Sequence, residues 1–141
     1  MKFKLGEIKN CEKAFEQIST FDLDIESTVE ITDFIDVVSK ELMKIEKFRN
    51  KLVEKFGKLN DETKKIEVYP GTPEYEILLF NYNKLLNIEV DLNFKPIDRN
   101  MFLKNNCKMK PLYNQQLKKF FSDYRPLELV ENYDIDMEIT E

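Results

Sequence analysis

The sequence predicts an α+β fold, a small antiparallel sheet beside a long amphipathic helix with two or three shorter helices. Three observations carry that prediction. Ile31, Ile35, Val38, Leu42, Ile45, Leu52 and Phe56 recur at helical spacing, interrupted only where Arg49 takes the seam position. Ile88, Val90, Leu92 and Phe94 alternate strictly with Glu89, Asp91, Asn93 and Lys95, as a strand with one wet face requires. The 141 residues, 42% hydrophobic and 35% charged, hold no internal repeat or low-complexity segment, which bounds the chain to one domain with one core.

Taken in order, Lys2–Leu5 reads as a short strand. A first helix follows from about Glu7 to Ile18, with Ile8, Cys11, Phe15 and Ile18 on one face. Phe21–Ile25 alternates into the long helix, assigned to residues 28–56, about 43 Å at ~1.5 Å per residue. Ser27 with Glu30 three residues later forms a capping box at its start, and Gly57 suits a left-handed C-cap at its end. A helix of that length needs a partner surface along its whole stripe. A second copy of the chain is one candidate, and an antiparallel helix from the same chain over Pro73–Leu86 is the other. Between them Ile66, Val68 and the Pro70-Gly71 turn indicate a strand, and Thr72-Pro73 places an N-cap before a proline at the first helical position. A last helix starts at Pro111 and runs through Leu117, Phe120, Phe121 and Tyr124 until Pro126 closes it.

The composition excludes more than it assigns. There is no His, so a Ser-His-Asp triad and a Cys-His dyad are ruled out. The glycines stand only at 6, 57 and 71, too far apart for a phosphate-cradling loop or a dinucleotide fingerprint. Cys11 and Cys107 form no CxxC pair and read as reduced, buried thiols. Neither a structural zinc site nor any cofactor is expected. Lys2, Lys4, Glu7 and Lys9 occupy the place of a leader's apolar core, and the longest apolar run is Ile77–Phe80; neither a secretory nor a membrane-spanning segment is expected.

Charge divides the chain near Arg125. Residues 126–141 carry Glu128, Glu131, Asp134, Asp136, Glu138 and Glu141 without Lys or Arg, a net −6 within a total of −5, so residues 1–125 form the domain and the rest an acidic extension. Ile135, Met137 and Ile139 alternate with Asp134, Asp136 and Glu138 there, the pattern of an edge strand. Asp22, Asp24 and Glu26 alternate likewise. Either acidic trio offers oxygens to a hard cation, but neither has the glycine-turned loop of a calcium hand, and a wet strand face accounts for both. Carboxylates, Lys and Tyr alone remain for acid–base chemistry with no apolar pocket signature, so no enzyme is expected.

Lys40, Lys44, Lys47, Lys51, Lys55 and Lys58 fall within about 80° of arc opposite the apolar stripe. Such a row can track phosphates, but Glu54 interrupts it and no Arg or aromatic residue interleaves, so nucleic acid is not the expected partner. A −6 extension and a row of ammonium groups also attract each other. The candidate interaction residues are therefore these lysines together with Asp134, Asp136 and Glu138.

The long helix ends Glu46-Lys47-Phe48-Arg49-Asn50-Lys51-Leu52-Val53-Glu54-Lys55-Phe56-Gly57, and Leu85-Leu86-Asn87-Ile88-Glu89-Val90-Asp91-Leu92 follows. The two segments in this order resemble a family of short proteins of unknown function from tailed phages of Gram-positive bacteria, over roughly residues 1–124. Members show a similar "RNKLxEKYG" helix ending, an "LLxxEVEL" segment and a Pro-initiated last helix. This chain departs at Lys110-Pro111-Leu112, where a Ser/Thr-Pro cap is usual, and in its acidic extension. The resemblance implies a phage protein acting through protein contacts in the bacterial host cytoplasm or in the virion, and supplies no catalytic residue. The expected function is that of a minor virion component or assembly factor, with phage structural proteins as partners. The alternative is a small inhibitor of a host defence or nucleic-acid enzyme, acting through phosphate mimicry or strand addition.

Overall fold

A computed structural model describes residues 1–125, and the acidic extension with its candidate strand lies outside them. Chain order is β1 (Lys2–Lys4), α1 (Leu5–Asn10), α2 (Glu12–Ser19), α3 (Ile25–Phe56), β2 (Lys58–Asn60), β3 (Lys65–Glu67), α4 (Pro73–Leu86), β4 (Glu89–Asp91), α5 (Asn100–Lys104) and α6 (Pro111–Gln116), with a 3-10 turn at Lys118–Phe120. The fold is α+β, as the two hydrophobic periodicities predict. Two small antiparallel ladders, β1 with β4 and β2 with β3, flank the long helix.

The β1–β4 ladder sets Phe3 opposite Val90 and closes at both ends, where Leu5 N–H donates to the Ile88 carbonyl (3.0 Å) and Leu92 N–H to that of Met1 (2.9 Å). The alternating stretch 88–94 thus pairs over a shorter span than its pattern suggests. Ile88 is still held by the end of α4, its N–H donating to the Leu85 carbonyl (3.1 Å), and is half exposed.

The first predicted helix is two. It begins at Leu5, where the Glu7 carboxylate accepts from Lys4 N–H (2.9 Å), and bends at Cys11, whose thiol turns to the Gln116 carbonyl (3.2 Å). Both halves still bury the predicted face, Ile8, Cys11, Phe15 and Ile18.

α3 starts three residues before the predicted position, because its N-cap is Asp24 and not Ser27. The Asp24 carboxylate accepts from Ser27 N–H at 2.8 Å, and Glu30, the expected capping-box partner, pairs outward with Lys95 at 2.8 Å. Gly57 is not left-handed either, with φ −87° and ψ 167°. Its glycine is required by close approach, since a Cβ there would lie 2.4 Å from the Val53 carbonyl oxygen and 2.5 Å from Ile66 Cγ2. The chain therefore leaves α3 directly into the β2–β3 hairpin and returns along α3 as α4, capped by Thr72 with Pro73 in the first turn. The antiparallel helical pair is within the chain.

The core gathers around Phe120. Its ring stacks on Phe3 at 4.6 Å and meets Phe15, Phe34 and Phe94 at 5.4–5.6 Å. The last helix is correspondingly shorter than predicted: α6 ends at Gln116, and Phe121 turns extended, bridging Ile97 and sending its ring toward Phe102. Adjacent rings on a continued helix point only ~100° apart, which would not serve two separate packing sites.

Asp24 couples the long helix to pH. The Lys104 ammonium at 2.9 Å, followed by the Ser27 hydrogen bonds, holds its carboxyl well below the usual carboxylate range. A carboxyl lowered in the folded state stabilises above its unfolded value and loses that contribution as pH falls below about 4. Urea unfolding should therefore show stability falling between about pH 5 and about pH 2, with a smaller fall in Asp24→Asn, which keeps a capping oxygen but loses the charge.

Candidate functional site

Five of the six predicted lysines, Lys40, Lys44, Lys47, Lys51 and Lys55, lie exposed on the outer face of α3. Lys58 does not belong to that helix. The Gly57 exit makes it the first residue of β2. Lys44 is held by Glu41 at 3.0 Å; among the described residues no carboxylate lies within ion-pair distance of the other five.

One aromatic does interleave, contrary to expectation. Phe48 is 47% exposed between Lys44, one turn before it, and Lys51 and Lys55 after it, and the Lys51 ammonium stands 5.7 Å from its ring centroid. Its sequence position shows why it escapes a periodicity search: it sits beside the apolar seam, not on it. A surface that mixes ammonium groups with a bare ring favours an acidic segment carrying apolar side chains.

The far half of α3 is built differently from the near half. Ile45, 1% exposed, is its last buried residue, and from Glu46 to Phe80 only Leu78 is buried. That stretch, the end of α3 with β2, β3 and the first turns of α4, is an arm whose apolar side chains are only partly covered. Arg49, Val53, Ile66, Tyr69, Tyr75 and Leu79 line a cleft of about 490 Å³ between its elements. Phe80 (61% exposed) and Leu59 (63%) stand outside the cleft. The hairpin holds its shape through polar groups. Glu67 Oε2 accepts from Asn60 Nδ2 (3.1 Å) and from the Tyr69 hydroxyl (3.0 Å). These bonds, that from Asn60 foremost, lower the Glu67 carboxyl, and the same carboxylate raises the Tyr69 hydroxyl. The arm was not legible as a unit, because each of its helices reads amphipathic alone.

The first acidic trio is drawn apart. Asp24 is spent on the cap and Lys104, while Asp22 and Glu26 face solvent. Among the described residues no three carboxylates or thiols gather into a group that could hold a metal ion, and no helix is long and apolar enough to cross a membrane. Asp134, Asp136 and Glu138 fall outside the described residues.

No protein-family model matches the chain, and neither the curated proteins nor the solved structures contain a significant match.

The thiols differ from each other. Burial, aided by Glu7, pushes Cys11 up to about 12; Cys107 is only half-buried and is raised by burial and then by Asp22. Raised in this way, both are slower nucleophiles at neutral pH than a free cysteine. An aromatic disulfide reagent should modify Cys107 slowly in the native protein and Cys11 only after unfolding. Cys107→Ser should then show no native reactivity, and rapid loss of both thiols would contradict the burial of Cys11.

Proposed function

We propose that the chain is a non-enzymatic bacteriophage protein that works through protein contacts, as a minor virion component or assembly factor. Its docking surface is the arm of residues 46–80, and the occupant is a phage structural protein. The observation that supports this is the incomplete core of the arm: Phe48, Leu59, Ile66, Tyr69, Ile77 and Phe80 all keep 40–65% of their surface in water. Partly exposed apolar side chains of this kind are what association covers.

The two segments that resemble the tailed-phage family support the phage setting, and with it the bacterial host cytoplasm or the particle as the place of action. Residues 46–57, one of the two, form the first limb of the arm. Inhibition of a host enzyme remains the other reading; it rests on the acidic extension and not on the arm.

Tagged full-length protein recovered from infected cells should bring down capsid or tail proteins, and purified particles should contain it. Replacing Phe48 and Phe80 by Ser removes exposed rings without opening the core, so the thermal midpoint should hold while recovery drops about 30-fold or more, the loss expected of a hot-spot ring. Recovery of a host enzyme instead, with the protein missing from particles, would overturn this reading.

A further inference from the structure

The acidic extension leaves the described structure at Arg125, and two surfaces could receive it. One is the free edge of the β1–β4 sheet. On β1 the outward groups are already used: the Lys2 carbonyl accepts from Lys119 Nζ at 2.9 Å, and Lys4 N–H donates to Glu7 at 2.9 Å. On β4 the closed pairs Leu5–Ile88 and Met1–Leu92 leave Glu89 and Asp91 with backbone groups facing out, and no partner takes them among the described residues. An acidic strand added there would set its carboxylates beside those of Glu89 and Asp91, the arrangement that destabilises neighbouring strands.

The other surface is the outer face of α3. There the Lys51 ammonium stands 5.7 Å from the half-exposed ring of Phe48 and that of Lys55, one turn further on, lies 5.4 Å from Phe56, and the extension brings six carboxylates, no cation, and the apolar residues Ile135, Met137 and Ile139. Charge favours the second surface as plainly as it disfavours the first. Reach allows it. Arg125 follows closely on Phe121, which bridges Ile97, near the point where Lys95 pairs with Glu30 on α3. From Glu30 to Phe48 the helix rises about 27 Å. Residues 126–141 span about 50 Å when extended.

We propose that residues 126–141 fold back within the same chain onto the lysine face of α3, with carboxylates on Lys47, Lys51 and Lys55 and an apolar side chain on Phe48. Exposed ion pairs are individually weak and screened by salt, so the contact is reversible and salt-sensitive. The contact shares the Phe48 ring with the docking proposal, but it forms in the isolated chain with no partner present, so its failure and the failure of that proposal are distinguishable.

The test is a spin label on Thr140→Cys in a Cys107→Ser background of the full chain, read by line broadening of backbone amides. The contact predicts broadening from Lys44 to Lys55. Exchange of the six tail carboxylates for amides should remove it, as should ~1 M salt, where screening acts within about 3 Å. Broadening should be absent when an unlabelled isotope-enriched chain is mixed with a separate spin-labelled one. Three results would overturn the proposal: no broadening on α3, broadening at Glu89–Asp91 instead, or broadening that appears between separate chains.

Discussion

The packing of Phe120 against Phe3, Phe15, Phe34 and Phe94 is the constraint on which the rest of the molecule depends. Those rings come from β1, α2, α3 and the stretch after β4, so one residue near the end of the described chain joins parts that begin at its third position. Further ring pairs, Phe15 with Phe34 and Phe34 with Phe94, close the group at 5.5–5.6 Å. Tilted and edge-on geometries of this kind contribute about 0.5–1.5 kcal/mol per pair beyond the area they bury. With the rings in place, β1 must meet β4, and α1 and α2 must lie on α3.

That arrangement also divides α3. Its near half, through Ile45, is covered by α1, α2, the aromatic group and the end of α4, while among the described residues its far half packs chiefly on the hairpin and the outer turns of α4. One continuous helix therefore serves as a core element at one end and as the spine of an arm at the other. Rigidity follows from the near half and exposure from the far half, a combination suited to presenting a surface to another protein.

The periodicities made the α+β class, the long helix, the α4 cap and the intrachain helical pair legible, because each depends on residues close in sequence. What escaped depends on distant contacts. The bend at Cys11 answers to Gln116, the start of α3 to Lys104 and Asn105, and the early end of α6 to the two sites that Phe120 and Phe121 must reach. At Gly57 the sequence pattern points to a left-handed cap, whereas Ile66, brought back by the hairpin, and the Val53 carbonyl are what exclude a side chain there. At the candidate surface the lysine row was legible, whereas Phe48 and the arm were not, since exposure beside an apolar seam has no sequence period.

Native-state hydrogen exchange along α3 tests the division of the helix most directly. Amides from Phe34 to Ile45 should exchange only through global unfolding, and those from Phe48 to Phe56 through a smaller opening of lower free energy shared with β2 and β3. Equal protection along the whole helix, with one denaturant dependence throughout, would contradict the account of an arm without its own core.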